Sequence, residues 1–545
     1  MLKPITEKQR SIINNYLKSM TLEEKVGQVQ CVSGGNLPSE KIKDLVLNKK
    51  IGSLFAGNVE KEEFKAMHEA SKYAEIPVIN CGDLVNGAGS RMFGTTRFPQ
   101  QMACAATHDE ELMEKMGEIT ATEARAYGAH WTFAPVVDLC YNKDNPMMHV
   151  RTSGDDPQHV LEVSRAYMRG VQKDGLMAAT AKHFPGDGTD SRDTHITTLV
   201  NDFTREEWEK TYGVIWRGMI EAGVMSVMSG HIALPFIDPC YEDEAKRYKG
   251  MRPASLSKKI LIDFLRGELG FQGTIVTDAI NMVGLGAHIP RKDYGWKLLE
   301  AGNDMLLWTI PDLDTPEIIK AIEDGRLTME RLDDAVKHVL ELKARVGLFE
   351  DEVYYPEITQ EQFKKNQEIA QLTADKSITI VRDVFNSVPF TNLKPGSKVL
   401  TVTATYVEGT RNGQDKDDLV VIDEELKKRG IEVDHLVNPP VIGHINKIVD
   451  NYDAVFVNFK YPPRYGTIRL YGDAINLFKG SWWVDNPKVI FTAFGDPYKI
   501  YDLPSLHCYI NAYSTREVSQ VSAVKVWLGE IEAVGKSPID LSGLV

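Results

Sequence analysis

Residues 177–198 read MAATAKHFPGDGTDSRDTHITT, and this stretch decides the fold. It opens with five small or apolar residues, 177–181, which are typical of a buried strand. A Pro185-Gly186 turn and a run of polar residues follow at once. A short apolar strand that ends in a polar, turn-rich loop is typical of a parallel barrel, because such barrels carry their functional groups at the C-terminal ends of their strands.

The rest of residues 1–350 repeats this alternation of short apolar segments with longer helical patterns. Thr21 with Glu24, and Thr204 with Glu207, form capping boxes that mark helix starts. Successive βα units predict a parallel sheet, and the length suits an α/β fold that begins with a (β/α)₈ TIM-type barrel over 1–350. Seven strands are predicted in this part: 51–56, 77–81, 131–137, 177–182, 224–228, 273–277 and 304–308.

A second, smaller α/β sandwich domain is predicted over residues 371–545, after a charged and irregular linker at 351–370. A helix is expected at 423–430. Residues with a catalytic look do not cluster in this part, which predicts a structural or loop-donating role. The strand-like segments are 377–381, 398–402, 419–422, 454–457 and 489–492.

Composition limits the classes of partner. The net charge of −14 argues against nucleic acid and anionic membrane surfaces as partners. The six cysteines are scattered without metal-ligand spacing, so we interpret them as reduced core residues of a cytoplasmic protein. The sequence shows neither a signal-peptide pattern nor a membrane-spanning apolar run.

Asp193 and His195 lie two positions apart in the loop after the strand at 177–182. In an extended loop, residues at this spacing project to the same side, so the carboxylate can hold the imidazole. The pairing would fix the tautomer and favour the charged form of the histidine, as acid/base work near neutral pH requires. The alternative for any single Asp-x-His is a local contact at the surface.

The longer pattern is more specific. Lys182-His183-Phe-Pro-Gly-x-Gly, four further residues and Asp193-x-His195 resemble the signature of glycoside hydrolase family 3, in its β-N-acetylglucosaminidase branch. The resemblance implies that His195 is the general acid/base and that Asp193 orients it. Residues 493–498 and 502–504 resemble, more loosely, the C-terminal sandwich of the longer, two-domain family members.

The segment Gly270-Phe-Gln-Gly-Thr-Ile-Val-Thr-Asp278 is a β-branched, apolar strand that ends in a carboxylate. It is similar to the family's Gly-Phe-x-Gly-x-x-x-Ser/Thr-Asp segment, whose aspartate is the nucleophile. The resemblance therefore implies that Asp278 attacks the anomeric carbon and forms a covalent glycosyl intermediate. The alternative is an aspartate that caps the next helix.

The resemblance also implies a set of sugar-binding residues. Asp138 is expected only to brace neighbouring loops. Two departures from the family pattern concern the sugar pocket and the loop: Leu84-Val-Asn-Gly87 replaces the usual Glu-Gly-Gly, and Asp187 stands where histidine is frequent. The implied substrate-binding residues are Asp83, Arg151, Lys182, His183 and His231.

The expected function is a retaining, exo-acting β-N-acetylglucosaminidase that removes terminal β-linked N-acetylglucosamine from small saccharides or cell-wall fragments. A small saccharide is the expected partner, no cofactor or metal is expected, and the sequence is compatible with a homodimer. Three alternatives stay open. They are a phosphorylase or broad β-glucosidase of the same family, a non-catalytic sugar-binding protein, and a metal-dependent barrel hydrolase using His183, His195 and His231.

Overall fold

The computed structural model describes residues 2–35, 37–239, 250–405, 419–439, 445, 447–463, 469–470 and 473–543. Within these residues the chain forms two compact units. The first comprises Met1–Arg97, Glu110–Leu139 and Val160–Asn366, and the second comprises Phe98–Asp109, Cys140–His159 and Gln367–Val545. The domain limits expected from the sequence stay a prediction. None of the helices in the described ranges is long and apolar enough to cross a membrane.

The first unit is built around parallel strands. Val26 and Val29 precede the first of them, and most residues of every strand are buried. We label the eight strands of this sheet, in chain order, β1 Gln30–Ser33, β2 Ser53–Phe55, β3 Ile79–Gly82, β4 Trp131–Thr132, β5 Ala178–Phe184, β6 Ser226–Ser229, β7 Thr274–Thr277 and β8 Leu306–Leu307.

These strands follow one another round a closed circle. Each pairs in parallel with its neighbour in the order β7, β6, β5, β4, β3, β2, β1, β8. The circle closes between β7 and β8, where Val276 bridges Met305 and the Thr277 N–H donates to the Met305 carbonyl at 3.0 Å. The (β/α)₈ barrel expected from the sequence is therefore confirmed, and the C-terminal ends of all eight strands open at one face.

Strand β1 is the one that the sequence patterns missed. The capping box on Thr21 starts a helix that runs from Leu22 to Gln28, and the strand begins two residues later. With four residues and no turn signal before it, β1 cannot be separated from the end of the helix by hydrophobic pattern alone. Its partners on both sides, β2 and β8, identify it as a strand.

Helices join and cover the strands. The capping boxes at Thr21 and Thr204 are present as the sequence predicted, and the Thr328 side chain caps the helix that begins at Met329. Lys259–Glu268 is a π-helix. The α-helices are Glu7–Ser19, Leu22–Gln28, Ser39–Leu47, Lys61–Ser71, Gln101–Ala106, Glu110–Ala126, Pro157–Gln172, Arg205–Lys210, Tyr212–Glu221, Val283–Gly286, Tyr294–Ala301, Pro311–Glu323, Met329–Arg345, Gln360–Ser377, Val420–Lys428, Asp473–Phe478, Lys499–Asp502 and Glu517–Trp527.

The second unit contains a six-stranded sheet. Its strands are β9 Thr379–Asp383, β10 Lys398–Thr405, β11 Glu432–Val437, β12 Ala454–Tyr461, β13 Val489–Gly495 and β14 Cys508–Asn511. They pair in the order β9, β14, β13, β12, β10, β11, and only the pair of β9 with β14 is antiparallel. The two faces of the sheet are covered by separate apolar clusters, as in an α/β sandwich.

The second unit corrects one local prediction. Residues 419–422 were expected to form a strand, but Val420 begins the helix Val420–Lys428. Ile422 and Leu426 are both buried, four positions apart, so the apolar residues of this segment form one face of a helix and not an alternating strand. Strands β11 and β14 were not anticipated. Among the cysteines, the five described ones are buried and free, and Cys240 lies outside the described residues.

Lys343 gives a stability prediction in the first unit. Its side chain is fully buried, its ammonium donates to Gln28 Oε1 at 2.7 Å, and burial lowers its pKa to about 7. Between that value and the usual 10.5, the unfolded chain binds a proton at Lys343 that the folded chain does not. Lys343 therefore destabilises the folded state less as pH rises.

We compare the free energy of unfolding of Lys343→Met with that of the wild type. The difference, variant minus wild type, should be about 2.5 kcal/mol larger at about pH 6 than at about pH 9. Denaturant titrations of both proteins at the two pH values measure this difference. Gln28→Leu with and without Lys343→Met controls for the lost hydrogen bond. A difference that is the same at both pH values would contradict a buried, easily neutralised amine at this position.

Candidate active site

A bulge in β5 sets the positions of Lys182 and His183 at the C-terminal face of the barrel. Ala181 pairs with Val227 of β6, but the next partners are Phe184 and Ser229, so β5 has one extra residue between them. Such bulges re-aim side chains next to functional sites. The Lys182 ammonium meets Asp83 Oδ1, after β3, at 2.6 Å.

Asp138, after β4, holds His183 and the start of the following loop. Its carboxylate accepts from the His183 N–H at 3.1 Å and lies 2.7 Å from His183 Nδ1. It also accepts from the Asp187 N–H at 2.8 Å. This is the bracing role expected for Asp138. Since Nδ1 faces a carboxylate, it carries the proton, and Nε2 is the nitrogen through which His183 can contact a ligand.

The loop from Gly186 to Thr198, which we call the dyad loop, is firmly held at its start. Gly186 has φ +128°, and a Cβ there would come within 2.2 Å of the Tyr212 ring, so only glycine fits. The Tyr212 hydroxyl donates to the Asp187 carbonyl at 2.6 Å. Asp187 itself is buried, and its Oδ1 accepts from the Gly188 N–H. The aspartate that stands where the family often has histidine therefore contacts the backbone of its own loop.

Asp193 and His195 form the pair expected from the sequence. His195 Nδ1 lies 2.7 Å from Asp193 Oδ1, and the same oxygen accepts from the His195 N–H at 2.9 Å. The Asp193 side chain is 2% exposed, whereas that of His195 is 30% exposed. The buried carboxylate therefore fixes Nδ1 as a donor, and the accessible imidazole can exchange a proton at Nε2.

Asp278 directly follows β7. Its N–H donates to the Ser229 carbonyl at 2.9 Å, and its Oδ1 accepts from the Ala279 N–H at 2.7 Å. Burial alone would raise the pKa of Asp278, but the neighbouring His183 and His231, the Ala279 N–H and Lys182 outweigh it and lower that pKa. The carboxylate is therefore ionised at neutral pH, as a nucleophile must be.

His231 lies beside Asp278, but both of its ring nitrogens contact other groups of the protein. Its Nδ1 lies 2.8 Å from the Ser255 hydroxyl, and its Nε2 lies 3.1 Å from the Ala279 carbonyl. Since a carbonyl only accepts, Nε2 carries the proton. Burial lowers the pKa of His231, so the ring is neutral at pH 7. With both nitrogens engaged, the ring supports the strand end that carries Asp278.

The dyad loop and the segment after Asp278 contact each other directly. The Val283 N–H donates to the His195 carbonyl at 3.2 Å. Thr198 Oγ1 lies 2.9 Å from the Gly284 carbonyl and 2.5 Å from His288 Nε2. Asp278 and the dyad loop therefore open at the same face of the barrel, which a two-group mechanism requires.

Gly284 is the point of closest approach between these two segments, and it gives a second prediction. A Cβ at this position would lie 2.8 Å from the Thr194 carbonyl oxygen and 2.9 Å from that of Thr197. We expect Gly284→Ala to displace the dyad loop and to lower kcat/KM for an unactivated glycoside by about a hundredfold.

Steady-state kinetics on unactivated and nitrophenyl glycosides measure this effect, which should be smaller on the nitrophenyl substrate. Gly267→Ala is the matched control, because its Cβ would make only one ordinary contact, at 3.4 Å from the Ile262 carbonyl. Unchanged kinetics in Gly284→Ala would show that the loop position is not critical.

The structure places seven of the eight expected residues in the first unit, and the eighth, Arg151, belongs to the second. Arg151 lies at the end of the 3₁₀ helix His149–Arg151 in the second unit, and its role stays a prediction. The residues gathered at the C-terminal face of the first unit are Asp83, Lys182, His183, His195 with Asp193, and Asp278, with His231 behind Asp278.

Arg91 is a site residue that the sequence patterns missed. The loop after β3 folds back, with the Ser90 hydroxyl donating to the Asp83 carbonyl at 3.1 Å. Arg91 then lies 3.6 Å from Asp83 Oδ2 and donates to Asn58 Oδ1 at 2.8 Å. A cation eight positions after a strand-end aspartate, beyond a glycine-rich turn, is the only signal that the sequence contains.

Comparison with known proteins identifies the family of the chain. Residues 21–342 match the family described as Glycosyl hydrolase family 3 N terminal domain. The chain is 29% identical over 543 residues to the "Beta-N-acetylglucosaminidase/beta-glucosidase" of Cellulomonas fimi, covering 97% of this chain and 95% of that protein.

Two solved structures are similar along nearly the whole chain. The "Beta-glucoside phosphorylase BglX" is 31% identical with a TM-score of 0.89, covering 99% of this chain and 98% of that one. A β-N-acetylglucosaminidase from Paenibacillus sp. str. FPU-7 is 24% identical with a TM-score of 0.81, covering 97% and 100%, a likeness that concerns the fold.

Proposed function

We propose, from the premise that the chain belongs to glycosyl hydrolase family 3, that it is a retaining, exo-acting β-N-acetylglucosaminidase. Membership of the family confirms the resemblance and the glycoside hydrolase class expected from the sequence. One observation carries the finer proposal. An ionised aspartate after β7 and an Asp-held imidazole on the adjoining dyad loop open at the same face.

The first step would use both groups at once. An Asp278 carboxylate oxygen attacks the anomeric carbon, and the bond from that carbon to the leaving oxygen breaks. Protonated His195 gives its Nε2 proton to the leaving oxygen, so the aglycone departs as a neutral alcohol. The Asp193 carboxylate stabilises the charged imidazole before transfer and keeps Nδ1 protonated afterwards.

The second step would reverse the roles. Neutral His195 Nε2 takes a proton from water as the water oxygen bonds to the anomeric carbon, and Asp278 leaves as a carboxylate. Two displacements on the same carbon return the β configuration. The products are a free sugar and a regenerated pair of Asp278 and protonated His195.

The remaining polar groups suit the hydroxyls of one terminal sugar. Asp83 accepts hydrogen bonds, and the Lys182 ammonium and Arg91 guanidinium beside it donate them. His183 is presented with Nε2 available while Asp138 holds Nδ1. Since His231 uses both ring nitrogens within the protein, we assign it a supporting role for the Asp278 strand end and not a sugar contact.

A second candidate function is phosphorolysis of a β-glucoside. The observation that favours it is the neutral imidazole in the second step, because it adds no negative charge beside an incoming phosphate. The similar structure of 31% identity is named as a beta-glucoside phosphorylase, and the Cellulomonas fimi relative is named as both a beta-N-acetylglucosaminidase and a beta-glucosidase. Phosphate would then replace water and yield the sugar 1-phosphate.

One experiment separates these outcomes. The protein is incubated with nitrophenyl β-N-acetylglucosaminide and nitrophenyl β-glucoside, with and without inorganic phosphate, and the products are followed by NMR. Release of free β-N-acetylglucosamine as the first anomer, independent of phosphate, supports the proposal. A sugar 1-phosphate supports the second candidate. An α sugar as the first product would contradict the two-step mechanism.

The metal-dependent alternative is tested in the same assay. His183, His195 and His231 would have to serve as ligands, yet His231 has both ring nitrogens engaged, by the Ser255 hydroxyl and the Ala279 carbonyl. Among the described residues, the group with spacing suited to a metal is Asp304, Asp334 and His338, which does not include them. We expect activity that is unchanged by a chelator.

A further inference from the structure

Trp308 follows β8, the last strand of the barrel, and its conformation is energetically unfavourable in two ways. Its backbone has φ +69°, a left-handed conformation that bulky residues rarely adopt. Its indole N–H is buried and finds no hydrogen-bond partner among the residues that the structure describes. Strained residues and unsatisfied buried groups that persist in a fold point to a function at that position.

Trp308 is directly beside the segment that carries Asp278. The carbonyl of Leu307, the preceding residue, accepts from the Ile280 N–H at 3.2 Å. The backbone N–H of Trp308 donates to the Cys31 carbonyl of β1 at 2.7 Å, which fixes the residue between two strand ends. The half-buried side chain packs on the apolar cluster that includes Ala279, the residue after Asp278.

The ring is held on edge by a second aromatic residue. The ring centroid of Phe55, at the end of β2, lies 5.5 Å from that of Trp308 with an interplanar angle of 71°. Phe55 in turn stacks on Phe133, which follows β4, at 5.9 Å and 10°. These three residues, which we call the aromatic wall, lie at or just after the ends of β2, β4 and β8.

Polar and aromatic strand ends alternate round much of the barrel mouth. Lysine, histidines and carboxylates follow β3, β5 and β7, and the aromatic wall follows β2, β4 and β8. A pyranose has hydroxyls round its rim and an apolar C–H face, so it needs polar groups at its edge and a flat apolar surface against its face.

We infer that Trp308 is a specificity-determining residue that packs against the apolar face of the sugar whose anomeric carbon Asp278 attacks. The inference rests on the proposed function and adds a binding contact to it. Phe55 supports the indole of Trp308, while Asp83 and Lys182 bind the hydroxyls of the sugar. The strained backbone and the buried N–H are retained because they present the indole at the mouth.

The test compares Trp308→Leu, which loses the flat surface, with Trp308→Phe, which keeps one. The probe is isofagomine, a sugar-shaped piperidine, with binding measured by calorimetry, and kcat/KM on nitrophenyl β-glycosides measured in parallel. We expect Trp308→Leu to weaken isofagomine binding by about tenfold and Trp308→Phe by less than about threefold. Trp296→Leu is the matched control, because Trp296 is also a half-buried tryptophan but lies on the helix Tyr294–Ala301 and not at a strand end; its binding of isofagomine should match that of the wild type.

Several results would overturn the inference. Binding of isofagomine by Trp308→Leu as tightly as by the wild type, with the wild type active, would refute the sugar contact and leave the proposed function intact. A wild type that neither binds isofagomine nor cleaves any β-glycoside would refute both. If Trp308→Leu does not fold, Trp308→Phe decides. The tryptophan fluorescence change on isofagomine binding should disappear in that variant, and its persistence would contradict the contact.

Discussion

Replacing Asp278 with alanine is expected to reduce turnover of every β-glycoside by about ten-thousandfold or more, equivalent to about 5.5 kcal/mol of transition-state stabilisation. The physical reason is that no other carboxylate follows β7, and the covalent step cannot occur without this one. The thermal midpoint should change little, because the Asp278 side chain is only partly buried and its Oδ1 accepts from the N–H of the adjacent Ala279. Steady-state kinetics and a melting curve measure the two quantities.

Azide gives this prediction a sharper control. In Asp278→Ala, the small anion can enter the space left by the carboxylate and displace nitrophenolate directly, forming one bond to the anomeric carbon as another breaks. The product expected is the α-glycosyl azide, with inverted configuration. Asp263→Ala, an exposed aspartate on the Lys259–Glu268 helix, should keep wild-type activity. A β-azide from the Asp278→Ala protein would assign a different role to Asp278.

Replacing His195 with alanine should have the second largest effect, and the effect should depend on the leaving group. For an unactivated glycoside, kcat/KM should fall by about a thousandfold, because the leaving alkoxide must be protonated in the transition state. For a dinitrophenyl glycoside the loss should be below about thirtyfold, since that leaving group needs little protonation. The measurement is kcat/KM across a series of aglycones of graded acidity.

Ile196→Ala is the matched control for the histidine variant. Ile196 is the next residue of the dyad loop and is 64% exposed, so its loss tests the integrity of the loop without removing the imidazole. Its kinetics should match the wild type on all aglycones. Equal losses across the series in His195→Ala would mean that His195 positions the sugar and does not transfer a proton.

The chemistry-bearing residues of the barrel could be predicted from the sequence because each lies in a short segment with a recognisable pattern. Asp278 ends a β-branched strand, and Lys182 and His183 end another, so the strand pattern itself places these groups at a common face. Asp193 and His195 are two residues apart, and their contact at 2.7 Å needs only the conformation of a single loop. Local signals of this kind do not depend on the rest of the chain.

Residues whose roles arise from distant contacts could not be predicted in the same way. Arg91 reaches Asp83 because a glycine-rich turn reverses the loop, and Trp308 meets Phe55 because β8 and β2 flank β1. His231 carried the same strand-end signal as His183. Only the surrounding Ser255 and Ala279 show that its two nitrogens are used for support.

The sequence by itself determined the fold class and the chemical groups, because hydrophobic period, caps and strand-end residues are properties of short segments. Tertiary structure alone decided which of these groups face one another, since closing the barrel through β1 and β8 joins segments more than 250 residues apart. The contact of the dyad loop with the segment after Asp278 is of this kind, and so is the contact of Trp308 with Phe55. Local pattern gives the reactive groups, whereas strand pairing at long range gives the distances at which they can react.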